Sequence, residues 1–244
     1  MSQVLGRTDT EADFVRSARW LAAGVLGGFV TGALVGGMGG RIAMFVLRLT
    51  SSPSLHGLQT DDDFTIGIVS GATVFLLGLT AFVGMLGGLV YLGVRGWLPA
   101  RWRPWVTGGV AGVVGGAIVI RPGGPDFTLL EPLPLAVVMF TVIPAAYGVV
   151  LSFVVERQLR DGSFVRRSWV WAVGILPLAL VALTGPIGLA AIIVLVTIWL
   201  LHRAVPSLGP LWRSTPVRWL GRCLLAALVT VELAELAGDI NEIL

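Results

Sequence analysis

The sequence predicts an all-α, polytopic transmembrane helical bundle of six to seven spans, and three observations carry that expectation. Hydrophobic residues make up 55% of the 244-residue chain and charged residues only 13%, too few to cover a water-soluble globule of this size. The apolar residues fall in several runs long enough to cross a hydrocarbon core of about 30 Å at 1.5 Å per helical residue. Arginines gather in the short segments between alternate runs, the pattern that sets membrane orientation.

The spans are expected at about 21–47, 64–94, 105–120, 134–155, 169–184, 187–201 and 217–236. They form a single transmembrane domain over 18–236, after an N-terminal segment (1–17) and before a tail (237–244). The division of 169–201 follows from length, because this uncharged stretch would be about 50 Å long as one helix. Thr184-Gly185-Pro186, near its middle, is a natural turn. The last segment has Arg218 and Arg222 at one end and Glu232, Glu235, Asp239 and Glu242 at the other, and it reads either as a seventh span or as a helix lying at the interface.

With the N-terminus in the cytoplasm, fourteen arginines fall inside and three, Arg41, Arg48 and Arg121, fall outside. This arrangement places the chain as a multi-pass protein of the cell membrane. It also accounts for the pI near 10.0 without nucleic acid, because the basic residues occupy inter-span loops rather than one polar face. Every basic residue is Arg and none is Lys, a composition that suggests a GC-rich bacterial genome. Trp20, Trp97, Trp105, Trp169 and Trp171 lie near span ends, at headgroup level.

Gly24, Gly28, Gly32, Gly36 and Gly40 recur every fourth residue in the first span, and Gly108, Gly112 and Gly116 repeat the device in the third. Such stripes let two backbones approach closely, which is what holds helices together where lipid is as apolar as the side chains. Packing within the chain is the expected use, ahead of an oligomer seam or a pore lining. The Gly28, Gly32, Gly36, Arg41 set recurs at an offset of 80 as Gly108, Gly112, Gly116, Arg121, and Asp-Phe-Thr follows each set, at 63–65 and 126–128. These placements predict a parallel repeat of two helical hairpins in the first four spans.

Two polar groupings are candidate sites. Arg41, Asp61, Asp62, Asp63, Arg121, Asp126 and Glu131 are expected together on the outer face, either pairing with one another and with lipid or lining a small vestibule. Glu232, Glu235 and Asp239 form an acidic stripe on the last helix, read either as a solvated helix end or as a buried cation or proton site. Pro144 and Pro177 are the expected places for helix breaks. The lone cysteine, Cys223, reads as a small packing residue.

His56 and His202 are predicted on opposite sides of the membrane, and no Ser or Cys has a histidine base at comparable depth. No nucleotide loop or zinc-protease motif is present. The expectation is therefore a protein that is not an enzyme and carries no cofactor or metal. Its partners are the lipid bilayer and either a second copy or another membrane protein.

The first span ending Gly39-Gly40-Arg41-Ile42-Ala43-Met44, the loop Gly57-Leu58-Gln59-Thr60-Asp61-Asp62 and the opening Phe64-Thr65-Ile66-Gly67 resemble uncharacterised multi-span membrane proteins of high-GC Gram-positive bacteria. The resemblance covers mainly the first hundred residues. It implies an inner-membrane protein and supplies no activity. The specific function expected from these features is a role in small-solute or ion transport or permeation; the alternative is a non-catalytic structural or accessory subunit assembling through its glycine seams.

Overall fold

A chain with 33 glycines would form poor helices in water, where each interior glycine costs roughly 1 kcal/mol relative to alanine. In lipid the balance changes, because backbone groups have no water to bond and must pair within their own segment. Helix is accordingly the only regular structure among the described residues of the computed structural model, which are 2–51, 71–124, 127, 132–163, 170–182, 193, 197, 208–212 and 214–243.

The chain enters through α1 (Ser2–Thr31), passes without a break through a π-helical segment (Gly32–Met38) and continues as α2 (Gly39–Thr50). Helix α3 (Gly71–Val94) returns, and a tight turn leads into α4 (Arg103–Val119). Next come α5 (Leu133–Gln158), α6 (Val170–Ala182), the short α7 (Leu208–Trp212) and α8 (Thr215–Ile243). Three helical stretches, Val15–Thr50, Thr73–Val94 and Leu133–Gln158, are long and apolar enough to cross a membrane. Helix α4 has 17 residues, and α8 carries more charge than those three.

The glycine stripes are filled from within the chain. Helix α1 runs antiparallel to α3, and a Cβ added at Gly32 would come 2.8 Å from the Gly84 Cα, while one at Gly88 would come 3.1 Å from the Gly28 Cα. At such distances Cα–H groups of one helix meet carbonyls of the other. Helix α4 packs antiparallel on α5 in the same way: a Cβ at Gly112 would meet the Ala145 methyl at 2.9 Å, and one at Gly148 would meet the Thr107 carbonyl at 2.5 Å.

The two pairs share one register. Gly28 faces Gly84 and Gly88 as Gly108 faces Ala145 and Val149, and Gly32 faces Thr80 and Gly84 as Gly112 faces Thr141 and Ala145. Thr80 and Thr141, at corresponding positions, each turn the hydroxyl back onto the carbonyl one turn earlier, Leu76 and Val137 respectively, both at 2.8 Å.

The five-glycine stripe does not stay in phase along the whole first helix. The π-helical segment carries an extra residue in its turn, which rotates the following face. Gly37 rather than Gly36 then takes the tight position, where an added Cβ would come 2.6 Å from a Leu77 methyl and 2.7 Å from the Thr80 hydroxyl, and Gly40 faces open space. The irregularity expected at proline lies here instead. Pro144 and Pro177 both sit inside continuous helices, and a Cβ at Gly115 would strike the Pro144 ring at 2.5 Å, so that the glycine makes room for the ring.

The long first helix is central. Besides α3 it packs on α5, where a Cβ at Gly27 would come 2.9 Å from Val155 and Gly39 faces Ile143, and on α6, where Gly174 meets Ala22. Three buried clusters sit around it: Tyr91, Leu92, Leu151 and Val155 at the arginine-rich end; Val25 and Met85 at mid-height; and Leu47, Ile120, Phe127, Ala136, Val137 and Leu236 at the opposite end. Phe127, from the second Asp-Phe-Thr, stacks edge-on against Phe140 at 5.6 Å.

Helix α8 lies along α4 in the same direction, with Gly221 under the Trp97 ring at one end and Leu236 against Gly116 at the other. It is otherwise largely exposed, and Cys223 is exposed on it rather than packed. The expected turn at 184–186 and both histidines lie outside the described residues.

Gly84→Leu should therefore cost at least about 3 kcal/mol, because the atoms it strikes are backbone and cannot move aside. Gly78→Leu, on the same helix but facing open space, should be tolerated. Thermal unfolding of the two variants in detergent separates these outcomes.

Candidate functional site

At the arginine-rich end, the C-terminus of α3, the N-terminus of α4 and the last turn of α5 converge on one carboxylate. Glu156 lies in the last turn of α5, where the helix dipole disfavours an acid, and Arg103 opens α4, where it disfavours a base. Local helix electrostatics therefore opposes both placements, and tertiary pairing offsets it.

Arg95, just past α3, grips Glu156 with both arms of its fork, Nε to Oε1 at 2.9 Å and a terminal nitrogen to Oε2 at 2.8 Å. This is the bidentate geometry that guanidinium and carboxylate favour. Arg103 donates to Oε1 at 3.1 Å and also to the Leu98 carbonyl at 3.3 Å. The Tyr91 hydroxyl donates to Oε1 at 2.9 Å and stands 2.9 Å from the Ser152 hydroxyl. Because Tyr91 gives its proton to Glu156, Ser152 donates to Tyr91.

Two guanidiniums thus share one carboxylate, and the cluster holds an excess positive charge. The Arg95, Arg103 and Glu156 side chains are 20–26% exposed, which keeps the pairs partly screened by solvent. Higher up, the Tyr147 hydroxyl donates to the Gly84 carbonyl at 2.6 Å and its ring lies over Gly87. The chain's two tyrosines therefore both stand between α3 and α5. Thr31, where the π-helical segment begins, is 2% exposed, and its hydroxyl has no partner among the described residues.

The site residues expected from sequence are distributed differently. Arg41 donates to the Thr73 hydroxyl and so ties α2 to the start of α3. Arg121 is exposed just beyond α4, while Asp61, Asp62, Asp63, Asp126 and Glu131 lie outside the described residues. On α8, Glu235 is exposed and Glu232 and Asp239 are half-buried, with the buried Leu236 between them, so the acidic stripe flanks the packed edge and is not enclosed.

Glu156 was hidden in the sequence because it closes an apolar run directly beside Arg157 and reads as an ordinary helix end. The signal available was its company, since it stands among the arginines that flank the apolar runs and one helical turn from Ser152.

Glu156→Gln leaves Arg95 and Arg103 without their shared counter-charge, and a loss of roughly 1–3 kcal/mol is expected after allowance for solvent exposure. Tyr91→Phe should lose about 1 kcal/mol, and less in a Glu156→Gln background, because the two share a bond. Chemical unfolding of the single and double variants measures this coupling. Comparison with known protein families, with curated proteins and with solved structures finds no match.

Proposed function

We propose that this chain is a multi-pass protein of the cell membrane that lets a small solute or ion cross, without enzymatic chemistry, along the polar seam between α3 and α5. The observation that carries this reading is the contrast between interfaces. Within each helix pair, backbones meet through glycine and alanine, whereas between the pairs stand Tyr147, Tyr91, Ser152 and Glu156. Polar side chains at membrane depth are costly and usually have a task.

The two helix pairs are read as repeats of one hairpin. Thr80 and Thr141, Gly84 and Ala145, Tyr91 and Ser152, and Arg95 and Glu156 all stand 61 positions apart, and the last two pairs bond to each other. Equivalent residues touch in this way close to a two-fold axis along the membrane normal. The equivalence lies in register and not in every contact, because α1 packs on α5 while α4 is covered by α8. The common direction of α1, α4, α6 and α8, opposite to α3 and α5, supports an alternating topology of six to seven spans, and the arginine distribution argues for the N-terminus inside.

The accessory-subunit alternative, as a protein assembling through its glycine seams, loses those seams to internal packing. It retains only glycines such as Gly40, Gly78 and Gly109, which face open space.

Topology is tested in a Cys223→Ala background with Arg160→Cys and Gly123→Cys, both at exposed positions. A membrane-impermeant maleimide should reach the first only from the cytoplasm and the second only from outside, and the reverse pattern would invert the orientation. For transport, protein reconstituted in vesicles carrying pH- and potential-sensitive dyes should dissipate an imposed ion gradient faster than protein-free vesicles, and Tyr147→Phe or Glu156→Gln should change that rate. Folded wild-type protein that behaves like empty vesicles in a panel of ions and small solutes would remove the transport reading.

A further inference from the structure

Glu156 receives more donors on one oxygen than that oxygen accommodates. Its Oε1 accepts from Arg95 Nε at 2.9 Å, from the Tyr91 hydroxyl at 2.9 Å and from an Arg103 terminal nitrogen at 3.1 Å, while Oε2 accepts from one Arg95 nitrogen at 2.8 Å. A carboxylate oxygen offers about two lone-pair sites, so the three donors on Oε1 compete. Arg103 makes the longest of the three bonds, and its Nε reaches the Leu98 carbonyl only at 3.3 Å. It is the arm most readily given to another acceptor.

Because both guanidiniums bond the same oxygen atom, they lie side by side on it. Each has five N–H donors and directs two of them to protein oxygens. Arg95 Nη1 and Arg103 Nη2 have no partner among the described residues, and neither atom is buried. The two side chains are 25% and 20% exposed, so these unused donors face water at the arginine-rich end of the seam between α3 and α5.

Charge and backbone favour the same kind of ligand. Two positive groups meet one negative group, and among the described residues no second carboxylate bonds either arginine. Arg103 is the first residue of α4, and no side chain caps that helix's N-terminus. A helix N-terminus attracts anions, so a position that is unfavourable for Arg103 alone becomes favourable once an anion sits beside it.

We propose that Arg95 and Arg103 together bind a small oxyanion of the phosphate or sulfate kind at this end of the seam. Planar guanidinium forks match the paired oxygens of such an anion, whereas a halide presents a single centre. Glu156 then acts as the internal anion that holds the two forks in place and competes with the ligand for them. As the class of solute that the seam serves, the oxyanion rests on the transport reading above; as a ligand of the two arginines it does not depend on passage.

Thermal unfolding of the full chain in a neutral detergent, with sodium phosphate or sodium sulfate replacing sodium chloride at constant ionic strength, tests the site. Both oxyanions stabilise any fold by exclusion from its surface, an effect that does not saturate and is common to all variants. Binding should add a saturable increase in Tm to wild type. Arg103→Gln, which leaves the bidentate Arg95 pair intact, should weaken it roughly tenfold or more, and Glu156→Gln, which removes the competing carboxylate, should strengthen it by a similar factor. Arg101→Gln removes a charge from the same turn that lies over Trp102 and not on Glu156, and should leave it unchanged. If Arg103→Gln does not fold, Arg103→Lys, with a point charge in place of the fork, should show the same direction of change. A response that does not saturate, or that is equal in wild type and both Glu156 and Arg103 variants, overturns the proposal. Stabilisation through Arg103 by phosphatidylglycerol in the micelles, but not by free phosphate or sulfate, would assign the donors to a lipid headgroup and overturn the solute. In vesicles, saturable binding without oxyanion flux keeps this site and removes the transport reading, whereas cation flux without binding keeps that reading and overturns the site.

Discussion

Everything in this bundle is arranged around the contact of α1 with α3 through Gly28, Gly32, Gly84 and Gly88. A lipid-exposed helix gains little by exchanging lipid tails for leucine, so association needs an approach that lipid cannot provide. Glycine on both helices provides it, and the reciprocal placement of Gly28 and Gly32 against Gly84 and Gly88 leaves no space for a methyl group on either side. With α3 held so closely on one face, the long first helix presents its remaining faces to α5 and α6. The second pair, α4 and α5, is joined by the same device with alanine and valine where the first has glycine.

The π-helical segment follows from the same constraint. A straight α-helix drifts in phase relative to a four-residue repeat, so a stripe spaced every fourth residue turns away from a straight neighbour along its length. The extra residue in Gly32–Met38 shifts the contact from Gly36 to Gly37 and keeps α3 in touch through Thr80 and Leu77. It also frees Gly39 to face Ile143 of the second pair. The segment thus divides the first helix into a part committed to α3 and a part shared with α5. The buried Thr31 hydroxyl, without a partner among the described residues, stands at that division.

The polar groups show a division of labour between ends. At the end opposite the arginine-rich one, apolar residues from α2, α4, α5 and α8 close the bundle around Leu47, Ile120 and Leu236. At the arginine-rich end, closure is electrostatic, with Glu156 binding the termini of three helices. An ion-pair closure of this kind, partly solvated, is easier to open than an apolar one, because water can replace each bond as it breaks.

The all-helical character of the chain, the presence of apolar helices long enough to cross a membrane and the use of glycine for packing were legible in the sequence because each depends on a local pattern: run length and a four-residue spacing. The acidic stripe on α8 was legible as a pattern too, but its relation to the buried edge at Leu236 needed the neighbouring α4. Tertiary structure alone decided that Gly37 replaces Gly36, that Pro144 is absorbed by Gly115, and that Cys223 faces outward. It alone joined Glu156 to Arg95, because a bond between residues 61 positions apart exists only when two separately formed helices lie side by side in register. Local pattern decides what each helix can bury, whereas the meeting of polar groups from different helices depends on distances that no single segment encodes.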